Sequence, residues 1–215
     1  MIIKYFDLKK NLNKDTNFFL LYGLNIGLIE ETINNVFKPI LSKNIFNYEE
    51  NEIFANIEEF KENIFNNSFF ENDKLIIINR VTDKILAVIE DIIDKNVTET
   101  TIILKSSNLE KKSKLRNFFE KDKKVIITPF YEDTYQSLMI VAQNFFKEKK
   151  IKISPQNINL IIERSKGNRI SLKNELKKIE SFSLKKPSVE LSDILKLTNL
   201  AENYNVSELI DSCLC

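Results

Sequence analysis

Asn17-Phe18-Phe19-Leu20-Leu21-Tyr22-Gly23-Leu24-Asn25-Ile26-Gly27-Leu28 is the stretch that decides the fold class of this 215-residue chain. Its first half is a continuous apolar run closed by glycine, which suits a strand buried on both faces. Beyond the turn, Ile29, Ile33, Val36, Phe37 and Ile40 recur at helical spacing as far as Leu41. The acids Glu30 and Glu31 stand in the first turns, where they complement the helix dipole. Strand, tight turn and helix in that order open a βαβ unit.

Working outward, the alternation continues. Ile45 to Tyr48 reads as a weaker strand, Ile57 to Phe65 as a helix with Ile57, Phe60, Ile64 and Phe65 on one side, and Lys74 to Asn79 as a strong buried strand. A helix from Asp83 to Asp94, a strand from Thr100 to Lys105, a helix from Lys111 to Lys121 and a strand from Lys124 to Thr128 follow. Five strands separated by helices, without hairpin turn signals, predict a largely parallel sheet covered on both faces, an α/β domain over 1–130. From Tyr131 onward the periodicity is helical: Asp133 to Lys149, Gln156 to Lys166, Ser171 to Phe182 and Leu191 to Leu200. Ser154-Pro155 and Gly167-Asn168 are the breaks and Pro187 lies in the next linker. This predicts a small all-helical domain over 131–203. In the last stretch, 204–215, Val206, Leu209, Ile210 and Leu214 keep helical spacing without a cap, and the expectation is that a further helical element starts there.

Composition narrows the function classes. Hydrophobic residues at 43% and charged residues at 29% describe a globular chain. A formal net charge of +1 argues against a chain devoted to gripping phosphate backbone. Two lysine-rich groups stand out: Lys111, Lys112, Lys114, Arg116, Lys121, Lys123 and Lys124, then Lys147, Lys149, Lys150 and Lys152. Both read as solvated helix faces. Arg164, Lys166 and Arg169 flank a helix break and suit phosphates only in being cations near helix ends. The chain has no histidine, which removes the commonest general base and metal ligand together. Its two cysteines, Cys213 and Cys215, form neither a disulfide framework nor a zinc set, and a reducing cytoplasm is the expectation. Neither a signal peptide nor a run of membrane-spanning length is apparent.

The glycine turn sits where a parallel sheet would hold a phosphate-binding loop. A Walker-type loop needs G-x-x-x-x-G-K-[ST], with the lysine reaching the terminal phosphates and the hydroxyl holding magnesium. Here the spacing is G-x-x-x-G, and Leu28 and Ile29 stand where the lysine and hydroxyl belong. The strand at 74–79 ends in Asn79-Arg80, whereas a phosphoryl-transfer enzyme needs an acid there to hold magnesium. No catalytic residue, cofactor or metal site is predicted, and Gly23 and Gly27 read as packing residues.

Phe65-Asn66-Asn67-Ser68-Phe69-Phe70-Glu71-Asn72-Asp73-Lys74 carries two adjacent phenylalanines through an otherwise polar turn. Two rings on a short loop can plug a partner's pocket or fold back as a lid on the core, and the segment alone favours the lid, since apolar residues near strand ends are mostly core.

The ordered set of Phe18-Phe19-Leu20-Leu21-Tyr22-Gly23 with Leu28-Ile29-Glu30-Glu31, Ser68-Phe69-Phe70 leading into Lys74-Leu75-Ile76-Ile77-Ile78, Asn174-Glu175-Leu176-Lys177-Lys178-Ile179 and Asn205-Val206-Ser207-Glu208-Leu209-Ile210-Asp211 resembles the delta subunit of the bacterial DNA polymerase III clamp loader. The resemblance implies an AAA+-like fold that does not hydrolyse ATP: a parallel five-stranded sheet flanked by helices, then a small all-α lid domain. It implies that Ser68, Phe69 and Phe70 bind the sliding clamp (beta subunit) and help to open it during DNA replication, although the family commonly has Leu-Phe at the paired positions. It also implies assembly with the gamma/tau and delta-prime subunits, contact with primed DNA through the assembled complex, no membrane association and a cytoplasmic location. The family's helical collar domain would begin about where this chain ends. The competing readings are a diverged nucleotide-binding protein using the Gly23 to Gly27 turn, and a delta-prime-like subunit, which would be expected to show cysteine zinc ligands and a Ser-Arg-Cys motif.

Overall fold

The computed structural model describes residues 1–12, 16–41, 44–65, 74–95, 97, 100–184 and 188–198. In chain order, a 3-10 turn at Tyr5–Asn11 precedes β1 (Phe18–Tyr22) and α1 (Ile26–Thr32). Then come α2 (Lys38–Leu41), β2 (Asn44–Glu49), α3 (Glu50–Ala55), α4 (Ile57–Phe65) and β3 (Lys74–Asn79). A 3-10 turn at Asp83–Ile85 leads into α5 (Leu86–Asp94), β4 (Thr100–Ser106), α6 (Lys114–Lys121) and β5 (Val125–Pro129). The helices α7 (Tyr135–Glu148), α8 (Pro155–Arg164), α9 (Arg169–Ser183) and α10 (Leu191–Leu197) follow.

The five strands form one sheet in the order β2-β3-β4-β1-β5, with every pairing parallel. β1 lies inside the sheet, between β4 and β5, and all five of its residues are buried. Phe18, Leu20 and Tyr22 pack beneath α3 to α6, with Ile53, Phe60, Ile89, Leu115 and Phe119, while Phe19 and Leu21 pack on the other face with Leu28, Ile29, Ile33 and Phe37. That two-sided burial is why the run is apolar throughout instead of alternating. β5 is covered along its outer edge by the first residues, Ile3 N–H donating to the Ile127 carbonyl at 2.9 Å and Ile127 N–H to the Met1 carbonyl at 3.0 Å.

Two local features differ from the sequence expectation. The helix predicted over 26–41 passes through a π-helical segment, Ile33–Phe37, where Lys38 N–H reaches back five residues to Ile33. Pro39 has no N–H for the Asn35 carbonyl, so the regular ladder cannot run through this turn. The short helix α3 was not anticipated, because Ile53 is its one buried apolar residue and it carries no periodicity. It is built instead on a reciprocal cap, with Glu49 N–H donating to Glu52 Oε2 at 2.8 Å. β2, the weaker strand, lies at the sheet edge and is only partly covered.

The chain divides into two compact units, Met1–Glu132 and a second that begins at Asp133. The second has its own core: Leu138, Ala142 and Phe146 of α7, Ile158, Ile161 and Ile162 of α8, Leu172, Leu176 and Ile179 of α9, and Ile194 of α10. Thr134, Ser154 and Asn168 cap α7, α8 and α9 through their side-chain oxygens, and Pro155 opens α8, as its preset φ favours. Asp133 is held by Arg169 through Nε to Oδ2 at 2.8 Å and Nη2 to Oδ1 at 3.0 Å, both side chains nearly fully buried.

Candidate functional site

In a parallel sheet the binding crevice lies at the carboxyl ends of the strands. The turn there runs from Tyr22, the end of β1, to Ile26, the start of α1; Gly27, read from sequence as a turn residue, is already helical. Gly23 has φ +139°, and a Cβ at this position would lie 2.0 Å from the Phe130 carbonyl oxygen. Its N–H is shared between the Ser106 and Ser107 carbonyls at 3.3 and 3.2 Å. Asn25 N–H donates to the Phe130 carbonyl at 3.4 Å and Ile26 N–H to the Leu24 carbonyl at 3.0 Å. Leu28 N–H donates to Asn25 Oδ1 at 3.0 Å, and Ile29 N–H to the Asn25 carbonyl at 3.1 Å. A phosphate cradle works by leaving such amides open toward the ligand. Here these five are spent inside the protein, so the turn departs from a phosphate-binding loop in its backbone as well as in its missing lysine and hydroxyl.

Beside the turn lies a cleft of about 410 Å³ lined by Ile26, Ile29, Asn79, Arg80, Lys105 and Ser106, among others. Its cations are engaged: Arg80 Nε lies 2.9 Å from Glu49 Oε2, and Lys105 Nζ pairs with Glu30. Asn79 Nδ2 donates to the Tyr48 carbonyl at 3.2 Å. The acids near these strand ends are structural too. Glu50, buried, accepts from Thr82 N–H at 2.7 Å and from its hydroxyl. Asp83 accepts from Ser113 Oγ at 2.5 Å, Lys114 N–H at 3.0 Å and Leu115 N–H at 3.1 Å, capping α6. The Ser113 hydroxyl is the main reason its carboxyl titrates below the usual range, and the two amides act in the same direction. Tyr22 is shifted the other way: burial pushes its phenol up, against the opposing effect of the Arg116 guanidinium, which lies 5.2 Å from the ring centre. Among the described residues no group of histidine, cysteine or acid side chains is placed to hold a metal.

Ser68, Phe69 and Phe70 lie outside the described residues. The two ends of their segment are described. It leaves α4 at Phe65, whose ring has Lys95 Nζ 4.7 Å from its centre, and enters β3 at Lys74. Lys74 is buried, and its Nζ donates to the Asn63 carbonyl at 3.0 Å. Both ends are therefore fastened to the sheet layer, at the amino end of β3, away from the crevice at the carboxyl ends. Of the cations at the helix break, Arg169 is turned inward onto Asp133 and Arg164 Nη1 donates to Thr198 Oγ1. The pairings Lys105 with Glu30 and Asp83 with the α6 amides were not legible, since their partners are 75 and 31 to 32 residues apart in sequence.

Comparison with known proteins places these observations in a family. The model of the DNA polymerase III, delta subunit family matches residues 19–128. No curated protein sequence matches the chain. Among solved structures, the Bacillus subtilis DNA clamp loader delta protein superposes with a TM-score of 0.58 at 17% identity, covering 90% of this chain and 61% of that protein. The Thermotoga maritima RuvB Holliday junction branch migration motor superposes with a TM-score of 0.61 at 15% identity, covering 91% of this chain and 65% of that one. Domain III of the Thermotoga maritima replication initiation protein DnaA gives 0.51 at 13% identity, over 90% and 87%. At these identities the likenesses establish the fold alone, an AAA+-like parallel sheet with a helical unit following it. The chain spans less than two thirds of the clamp loader delta and RuvB chains it matches. No described helix is long and apolar enough to cross a membrane. The family model covers just over half of the sequence, and on that match the chain belongs to the DNA polymerase III delta-subunit family.

Proposed function

We propose that this protein is a non-hydrolysing clamp-loader delta subunit that binds the ring-shaped sliding clamp and helps to open it. Phe69 and Phe70, with Ser68 before them, enter an apolar pocket on the clamp, and α4 and β3 serve as the rigid support. The observation that carries the reading is the turn at Gly23 to Ile29, where the N–H groups of Gly23, Asn25, Ile26, Leu28 and Ile29 are bonded within the protein and not left open to a triphosphate. A subunit built this way contributes binding; hydrolysis falls to the gamma/tau subunits of the loader, and delta-prime is a further non-hydrolysing partner. The anchored ends of the 66–73 segment support the assignment, because a presented loop needs fixed feet to limit its ordering cost on binding. Burying two phenylalanine side chains contributes about 3 to 6 kcal/mol before ordering costs, enough to anchor an interface.

The test is clamp capture by the full chain with Phe69→Ala and Phe70→Ala together, alongside a denaturant midpoint for the same variant. Loss of capture at an unchanged midpoint is expected; capture equal to wild type refutes the site. A second reading, a diverged nucleotide-binding protein, has the 410 Å³ cleft in its favour. Titration calorimetry with ATP and magnesium separates the two, and a saturable heat would favour the second.

A further inference from the structure

We propose that the outer edge of β2 is a docking site for an extended, lysine- or arginine-bearing segment of a partner protein, which adds to the sheet as a further strand. β2 ends the sheet, and among the described residues no segment pairs with its outer side. Its register with β3 runs without a bulge from Asn44 with Lys74 to Glu49 with Asn79, an edge of about 20 Å. The main-chain groups that face outward can be named. Asn79 Nδ2 reaches the Tyr48 carbonyl from β3, and successive residues turn their main-chain groups to opposite sides of a strand. Asn44, Phe46 and Tyr48 therefore face β3, while Ile45 and Asn47 face away from it. Glu49 N–H, next on the outer side, is spent on Glu52 Oε2. The opposite edge of the sheet shows what such groups do. At β5, Ile127 N–H donates to the Met1 carbonyl and the Ile127 carbonyl accepts from Ile3 N–H, in a parallel pairing. The first residues of the chain complete that edge, whereas Ile45 and Asn47 offer the same pair of groups twice over on the other.

The sequence of this edge lacks the usual protection against added strands, which is lysine, proline or a bulge. Asn44-Ile45-Phe46-Asn47-Tyr48-Glu49 has none of these, and Phe46 is 39% exposed, an apolar contact for a side chain of the incoming strand. The surroundings set the charge of the occupant. α3 follows β2 directly, and α4 packs against it through Phe60, edge-on to Tyr48 at 5.1 Å. Residues 49–65 hold six acids and one lysine, and that lysine, Lys61, lies 2.6 Å from Asp91. Glu52, Glu58, Glu59 and Glu62 are exposed and make no ion pair among the described residues. A cationic strand complements this border, whereas a second copy of the chain would set like charges against each other. The contact does not involve the 68–70 loop and its assay contains no clamp, so either assignment can fail while the other stands.

The experiment measures fluorescence anisotropy of a labelled peptide of about eight residues, alternating lysine and valine, titrated with the full chain at about 50 mM salt. Saturable binding is expected. Asn47→Pro deletes one outward N–H and leaves the β2–β3 ladder intact, since proline is tolerated on the outer side of an edge strand. It is expected to weaken binding about tenfold at an unchanged urea midpoint. The same peptide with its backbone N-methylated throughout makes the equivalent test on the unaltered chain and is expected not to bind. Glu58→Gln with Glu62→Gln is expected to weaken binding at about 50 mM salt and to matter little at about 500 mM, where the charges are screened. A glutamate–valine peptide is expected not to bind. The proposal is overturned if the lysine peptide does not bind the wild type, if its N-methylated form or the glutamate peptide binds equally well, or if Asn47→Pro binds as tightly as wild type. A concentration-dependent dimer in sedimentation, abolished by Asn47→Pro, would overturn it by assigning the edge to a second copy.

Discussion

Replacing Gly23 by alanine tests the claim that the glycine turn exists for packing. The added Cβ would sit 2.0 Å from Phe130 O, 2.8 Å from its carbonyl carbon and 3.0 Å from its nitrogen. The first distance is roughly 1.3 Å short of an ordinary carbon–oxygen contact of about 3.3 Å. All three obstacles are backbone, so no side chain can swing aside. Relief requires the 129–130 segment to retreat, which loosens Phe130 N–H to the Tyr22 carbonyl at 2.8 Å and Asn25 N–H to the Phe130 carbonyl at 3.4 Å. Each bond contributes about 1 kcal/mol, and φ +139° costs an L-residue a further 1 to 3 kcal/mol or so. The expected loss is about 3 to 5 kcal/mol, read as a fall in the urea midpoint without a change in slope. Gly27 lies inside α1, and Gly27→Ala is expected to raise stability by about 0.5 kcal/mol through helix propensity. The two glycines should thus respond with opposite signs. A cost below about 1 kcal/mol for Gly23→Ala would refute the close-approach argument.

Three further outcomes follow from the geometry. Asp83→Ala removes the acceptor for Ser113 Oγ and two α6 amides and is expected to cost about 1 kcal/mol near neutral pH. Because the folded carboxyl titrates below its unfolded value, its contribution is present above the ordinary carboxylate range and is lost as pH falls through the folded pKa. Urea midpoints of wild type and variant should therefore converge in acid, and a gap that widens there would contradict the cap. Arg169→Met takes the cation from the buried Asp133 carboxylate, which keeps the Ser137 hydroxyl as a donor, and is expected to cost about 3 kcal/mol, while adding Asp133→Leu should recover most of that; a double variant no better than the single would refute the account. Thr128 is fully buried and its Oγ1 has no hydrogen-bond partner among the described residues, so Thr128→Val is expected to gain about 1 kcal/mol in the same assay.

Much of the α/β unit was legible because its signals are local. The unbroken apolar runs Phe18–Tyr22 and Lys74–Asn79 required strands buried on both sides, and helices at 3.6-residue spacing between them required parallel pairing. The absence of a lysine and hydroxyl after Gly27 and of an acid at Asn79 was equally plain. α3 was missed, since its helix rests on a capping box and a buried Glu50 instead of an apolar stripe.

What the linear chain determined, then, is most of the elements and their order, consequences of side-chain period and residue type over short spans. Only the tertiary structure decided why Gly23 is glycine, because the obstructing carbonyl belongs to Phe130, more than a hundred residues away. It likewise decided that the amides of Gly23 and Asn25 are spent on Ser106, Ser107 and Phe130, and that Asp83 caps α6. Each of these depends on which strands become neighbours, and the order β2-β3-β4-β1-β5 places β1 between β4 and β5, strands distant from it in sequence, through crossovers whose geometry no local pattern encodes.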